Sequence, residues 1–278
     1  MNGVWAVARL AFRESARNRV LHALLAAVLL VTLVAHVFAW VSGDEPVRRL
    51  KVVADLSLTG IALLGTLAAI FLGTHLVYQE VERRTIYTVL ARPIGRGSFL
   101  VGKYLGLLGI MGLASLIMAV AFFASYGFAI LTLPAPGVDA SALPWGKLAL
   151  ALFLTYAELA IVIAVALFFS VAAHPIEGAV FAFLVVIVGH MTASLRDLAA
   201  ELVHTAGPSA SPSLHALSGA LEVFYLVLPN LEHFNVRAQA VHDLTIAWPQ
   251  PLLAVAYAAV YASILLALGT LVLRRKVL

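Results

Sequence analysis

Apolar residues run along this chain in blocks too long for an ordinary soluble core. Six lie at about 20–41, 56–77, 104–131, 148–169, 178–195 and 252–273. Each is close to the roughly twenty residues that a helix rising about 1.5 Å per residue needs to cross a hydrocarbon core of about 30 Å. The pattern predicts an all-α membrane protein, a single transmembrane domain over 1–278 with six transmembrane helices. A seventh block, 216–228, is 13 residues long and reaches only about 20 Å as a helix, too short to cross. Pro229 ends it, and Pro208 and Pro212 come shortly before. It therefore predicts a short re-entrant or surface hairpin within the segment 196–250, before helix six.

The polar positions between the blocks set the orientation. With the N-terminus inside, twelve basic residues fall on the inner side: Arg9, Arg13, Arg17, Arg19, Arg83, Arg84, Arg92, Arg96, Lys103, Arg274, Arg275 and Lys276. The outer side holds the other six, Arg48, Arg49, Lys51, Lys147, Arg196 and Arg237. Lys and Arg favour the cytoplasmic side, so the ratio predicts both ends inside, N-in/C-in, and 196–250 outside. Counting 216–228 as a span would carry the terminal Arg-Arg-Lys outward, against the same rule.

Residues 1–19 are not apolar enough to span. Trp5, Ala8, Phe12 and Ala16 share one helical face, with Arg9, Arg13, Arg17 and Arg19 largely on the others. This predicts an interfacial helix at the cytoplasmic membrane surface. Arginines before an apolar run also open a secretory signal. Here the run from Val20 to Val41 is 22 residues, longer than a signal core and without a small-x-small cleavage site, so it reads as a retained helix.

Composition agrees. Hydrophobic residues make up 63% of the chain and charged residues 12%, about half the charge of a soluble domain, and the mean hydropathy is +1.01. The net charge of +4 arises from residues flanking the apolar blocks, so it marks a lipid bilayer partner and no nucleic acid. The chain has no cysteine, which removes disulfides and thiolate metal sites.

The inner segment between helices two and three is the most informative. Residues 79–92 read as a short amphipathic helix, with Glu80 and Glu82 in its first turn, Arg92 near its end and Pro93 stopping it. A charged helix at the membrane face suits docking to a cytoplasmic partner; a solvated loop held inside by its charge would read the same way. Just beyond, Gly97-Ser-Phe-Leu-Val-Gly-Lys-Tyr104 approaches a phosphate-binding loop. It ends in tyrosine where a hydroxyl must hold magnesium, no strand precedes it, and a span follows. No ATPase site is expected in the chain.

The pattern Glu80, Glu82, Thr85, Val89, Leu90, Pro93, Ile94, Arg96 and Lys103 resembles the permease subunits of ABC-2 type transporters. Arg84 stands where a glycine often precedes the threonine in that family. The resemblance covers nearly the whole chain. Within the family, the stretch Leu228-Pro-Asn-Leu-Glu-His-Phe-Asn235 most resembles the branch that includes the copper-maturation permease for nitrous oxide reductase. The resemblance implies that 79–92 is a coupling helix receiving the power stroke of a separate ABC ATPase. Glu80, Glu82, Arg83, Thr85, Leu90, Arg92, Pro93 and Arg96 would form the interface. ATP and magnesium would be bound by that partner, with no cofactor in this chain. It further implies pairing with a second permease copy or close relative, export of a cargo across a bacterial or archaeal cytoplasmic membrane, and room for an outer accessory protein.

Three further features bear on function. Gly102, Gly106, Gly109 and Gly112 form one stripe on helix three, and Gly65, Ala69 and Gly73 a second on helix two; both predict close helix packing in lipid. Glu158 lies near the middle of helix four, beside Tyr156. An acid there costs about 2.5–3.5 kcal/mol on insertion scales, so it must face protein or water. It reads either as a cavity or proton-linked group or as a neutral carboxyl joining two helices. His204, His215, His233 and His242 lie in the outer segment without ligand spacing, so no metal site is expected. His36, His75 and His190 read as interfacial or interhelical. A membrane enzyme is disfavoured by the absence of a zinc-protease or nucleophile-elbow motif and of paired aspartates within the spans. A scaffold passing ATPase work to an outer partner without moving cargo would need the same coupling helix, and stands as the alternative to a permease.

Overall fold

The computed structural model describes residues 2–43, 45–82, 95–132, 143–206 and 212–276. They form nine α-helices and one 3-10 turn, with no strand among the described residues. The helices are α1 (Asn2–Ala16), α2 (Arg19–Val41), α3 (Pro46–Glu82), α4 (Arg96–Thr132), α5 (Trp145–Ala172), α6 (Pro175–Ala206), α7 (Pro212–Val227), α8 (Arg237–Val241) and α9 (Pro249–Lys276). Four of them begin on proline, where a missing N–H costs no hydrogen bond and a fixed φ favours the first turn. Asn18 caps α2 by accepting the Val20 N–H at 2.8 Å. Gly43 turns the chain from α2 toward α3 at φ +115°, a conformation that a Cβ would oppose.

Among the described residues, five helices are long and apolar enough to cross a membrane: Arg19–Val41, Pro46–Leu76, Arg96–Thr132, Trp145–Ala172 and Pro249–Arg275. The block expected as a further span, 178–195, lies inside α6, whose apolar stretch Ile176–Thr192 is shorter than those five. The helices outrun the apolar blocks. The α4 helix starts at Arg96 rather than near 104, and α6 continues past Arg196 to Ala206. Hydropathy marks where lipid would end, while backbone hydrogen bonding carries a helix on into polar sequence. The short block is a 16-residue helix, α7. It packs back along α6, with the Arg196 guanidinium 4.6 Å from the Tyr225 ring centre.

The α5 helix is the axis of the bundle. It packs against α3, α4, α6 and α9, and 67% of its apolar window is buried against 22% for α2 and α9. The predicted small-residue stripe of α3 makes this possible. A Cβ on Gly73 would lie 2.5 Å from the Cβ of Ala166, and one on Gly65 would lie 3.3 Å from Leu159. Three threonine hydroxyls within the spans are satisfied locally: Thr32, Thr74 and Thr155 donate to the carbonyls of Val28, Ile70 and Ala151, which keeps these polar groups paired away from water.

The stripe on α4 serves a different partner. A Cβ on Gly102 would lie 2.7 Å from Val7, and one on Gly106 would lie 2.5 Å from the Ala8 carbonyl. Gly109 faces the Phe12 ring, and Gly112 faces Tyr156. So α1 lies in a groove made by glycine on α4. Its packed face is Val7, Ala8, Ala11 and Ser15, whereas Trp5 is 66% exposed. Trp5 was expected to share a face with Ala8; a groove floored by glycine admits small side chains, and the indole points outward, in one four-residue row with the exposed Arg9, Arg13 and Arg17. Lys103, fully buried in α4, pairs with Glu14 of α1 at 3.5 Å.

Candidate functional site

Glu158 lies on α5 and is buried. Its Oε1 is 3.3 Å from Nε2 of His190 on α6. The two residues face each other because α5 and α6 run antiparallel through a short turn, and both lie 16 residues from His174 in that turn. Equal distances along two such helices reach equal depth. His190 is thus an interhelical residue, and the carboxyl that needed a partner has one. The other ring nitrogen, Nδ1, lies 3.0 Å from the Val186 carbonyl.

This pair lines a pocket of about 520 Å³ between α3 and α6. Thr59 and Thr66 face it from α3, and Arg237 from α8; Leu63, Phe183, Ile187 and Met191 supply apolar wall. A second pocket, of about 610 Å³, continues the same α3–α6 groove toward the start of α2. Its lining is largely apolar, with Phe71, Ile176, Val180 and Phe183, and His75 and Thr74 as its polar edge. Ile176 is 80% exposed.

Tyr156, two residues from Glu158, points elsewhere. Its hydroxyl donates to the Leu108 carbonyl of α4 at 3.1 Å, since positions two apart on a helix do not share a face. The sequence placed Glu158 and Tyr156 together; the structure assigns one to α6 and the other to α4.

The outer-segment motif packs on α6 next to Arg237, which lines the 520 Å³ pocket. Pro229 and Leu231 sit on Gly189 of α6, where a Cβ would be 2.7 Å from the Pro229 carbonyl, and the Leu231 N–H donates to the Gly189 carbonyl at 3.0 Å. The Asn230 N–H donates to the Tyr257 hydroxyl at 3.0 Å, and its Oδ1 accepts from the Glu232 N–H. Leu231, Phe234 and Val236 are buried. Arg237 Nε donates to Asn235 Oδ1 at 2.9 Å, which fixes the guanidinium beside the pocket. Arg237 was read only as an outer charge; its place two residues beyond Asn235 in the 228–235 motif was the available signal.

The residues 79–82, expected to open the coupling helix, continue α3 without a break. The side chains of Glu80 and Glu82 lie outside the described residues, as do Arg83, Thr85, Leu90, Arg92 and Pro93 entirely. Arg96 begins α4, and its Nη1 lies 3.4 Å from the Arg274 carbonyl near the end of α9. Gly97 to Tyr104 are helical within α4. A phosphate-binding loop turns its N–H groups onto the nucleotide, and here those groups belong to a helix, so the stretch is no nucleotide site. Among the described residues no three His, Asp or Glu side chains cluster for a metal.

A family model for ABC-2 family transporter proteins matches residues 5–277. The chain is 38% identical over 144 residues to the probable ABC transporter permease protein NosY of Pseudomonas aeruginosa, covering 50% of each chain. It is 30% identical over 151 residues to the protein of the same name from Stutzerimonas stutzeri, covering 52% of this chain and 51% of that one. The matches thus span about half the length of these curated relatives.

Proposed function

Because the chain belongs to the ABC-2 family of transporter proteins, we propose that it is the permease subunit of an ABC transporter whose ATP-hydrolysing subunit is a separate chain. The observation that carries this reading is a family match over nearly the whole chain, on a membrane-spanning helical bundle with no nucleotide loop among the described residues. The permease names of the partial relatives support it. The ATPase, holding ATP and magnesium, docks on 79–96, between α3 and α4. Its stroke reaches the groove through these two helices and exports a cargo across the cytoplasmic membrane.

In this reading α6 is the remaining span of six. Its 17-residue stretch Ile176–Thr192 measures about 26 Å, and the helix itself runs on to Ala206. The basic residues set N-in/C-in, which puts α7 and the 228–235 motif outside, where an accessory protein could meet them. The apolar α3–α6 groove, with Ile176 80% exposed, suits a face shared with a second copy, since closed pairs are the commonest assemblies. Purification of the tagged chain in mild detergent tests the reading. Two permease and two ATPase subunits are expected; a chain that carries no ATPase would contradict it, and a monomer with ATPase bound would contradict the pairing.

A further inference from the structure

We propose that Glu158 and His190 form an exchangeable proton-binding site within the membrane, joining α5 to α6 only while the proton is present. The atoms dictate this. The Val186 carbonyl can only accept a hydrogen bond, so His190 Nδ1, 3.0 Å away, carries a hydrogen. The 3.3 Å contact between Nε2 and the Glu158 Oε1 then needs one more proton between two lone pairs. It sits on nitrogen, giving an imidazolium and a carboxylate, or on oxygen, giving two neutral groups. Both arrangements have zero net charge and one hydrogen bond. Loss of that single proton leaves a carboxylate facing the lone pair of a neutral imidazole, in a low-dielectric setting where the contact turns repulsive. The bond that breaks is Nε2–H or Oε1–H, and the proton leaves to water.

The pocket provides the route. The Glu158 side chain is 3% exposed and that of His190 28%, so exchange proceeds through the imidazole edge that borders the 520 Å³ pocket. The charged group facing the pair from another element is Arg237 on α8; α3 contributes Thr59 and Thr66, which do not titrate. Arg237 is the fixed cation on that wall of the pocket, within reach of any net charge the pair takes on. The Glu158–His190 contact spans α5 and α6, and α6 walls both halves of the groove, so the width of the groove follows the proton. This inference does not depend on the identity of the cargo or of the ATPase.

The test is infrared difference spectroscopy of the full chain in phosphatidylcholine nanodiscs, stepped from about pH 5 to about pH 10, a range that brackets imidazole titration. Beyond the imidazole bands of the other eight histidines, the expected result is one reversible proton-release step in which a carboxyl band and an imidazole band change together. Glu158→Gln and His190→Gln each abolish it; either amide can still hydrogen-bond its neighbour, so at least one variant should assemble. Arg237→Gln, which leaves the pair intact, shifts the midpoint, and Arg237→Lys restores it. A wild-type spectrum with no such step, a step that persists in either pair variant, or a midpoint unmoved by Arg237→Gln overturns the site.

Discussion

Replacing Gly106 with alanine should pull α1 off the bundle. The added methyl would lie 2.5 Å from the Ala8 carbonyl oxygen and 2.6 Å from the Ala11 Cβ, with the Phe12 nitrogen at 3.1 Å. Ordinary contact begins near 3.4 Å, so the helices must part by about 0.9 Å at that point. Two of the three obstacles are backbone atoms, which cannot rotate aside, so α1 moves as a body and loosens its seat on Gly102 as well. Overpacking of this kind costs about 1–3 kcal/mol. Two controls isolate the steric term. Gly109→Ala meets only the Phe12 ring, at 3.4 Å, and Gly127→Ala meets nothing within 4 Å; the latter should be neutral or gain up to about 1 kcal/mol from helix propensity. The chain has no cysteine, so spin labels at Leu10→Cys on α1 and Leu113→Cys on α4, both exposed, report the separation by double electron–electron resonance. The distance distribution should lengthen and broaden in Gly106→Ala alone, together with the loss of unfolding free energy in bicelles. If Gly106→Ala matches Gly127→Ala in both measurements, α1 does not occupy the glycine groove.

The remaining predictions follow from the same contacts. Gly189→Ala places a methyl 2.7 Å from the Pro229 carbonyl, and should speed hydrogen exchange at the Leu231 amide, which is bonded to Gly189. Glu14→Lys sets a like charge against the buried Lys103, and thermal melts in lipid should show a greater loss than Glu14→Gln. Reporter fusions after residues 43, 140 and 230 should read outside, and fusions after 95, 175 and 278 inside; a fusion after 278 that reads outside would break the six-span count.

Much of the bundle was legible because lipid makes length and apolarity nearly sufficient to find a helix. The blocks at 20–41, 104–131, 148–169 and 252–273 each lie within one helix, and the need of Glu158 to face protein or water followed from the cost of a lone acid in lipid. Two things were hidden for physical reasons. A small-residue stripe states that something approaches closely, not what: Gly102 and Gly106 receive the amphipathic α1, while Gly73 receives another span. The partner of Glu158 lay in plain view, since His190 mirrors it about His174, but depth matching requires knowing that α5 and α6 are an antiparallel pair. Arg237 reaches the same pocket only through the fold of 228–236, which hydropathy does not encode.

The central claim is that this permease is driven by a separate ATPase through 79–96, and one comparison tests it most directly. Glu80→Gln, Glu82→Gln and Leu90→Asp are combined in one chain and co-expressed with the ATPase that co-purifies with the wild type. Every Lys and Arg remains, so insertion and abundance should match the wild type. A docked helix depends on a few well-packed residues rather than on net charge, so the account predicts that ATPase binding is lost, or that hydrolysis continues uncoupled from function. A triple variant that inserts normally, holds the ATPase as tightly as the wild type and retains cellular function would contradict it.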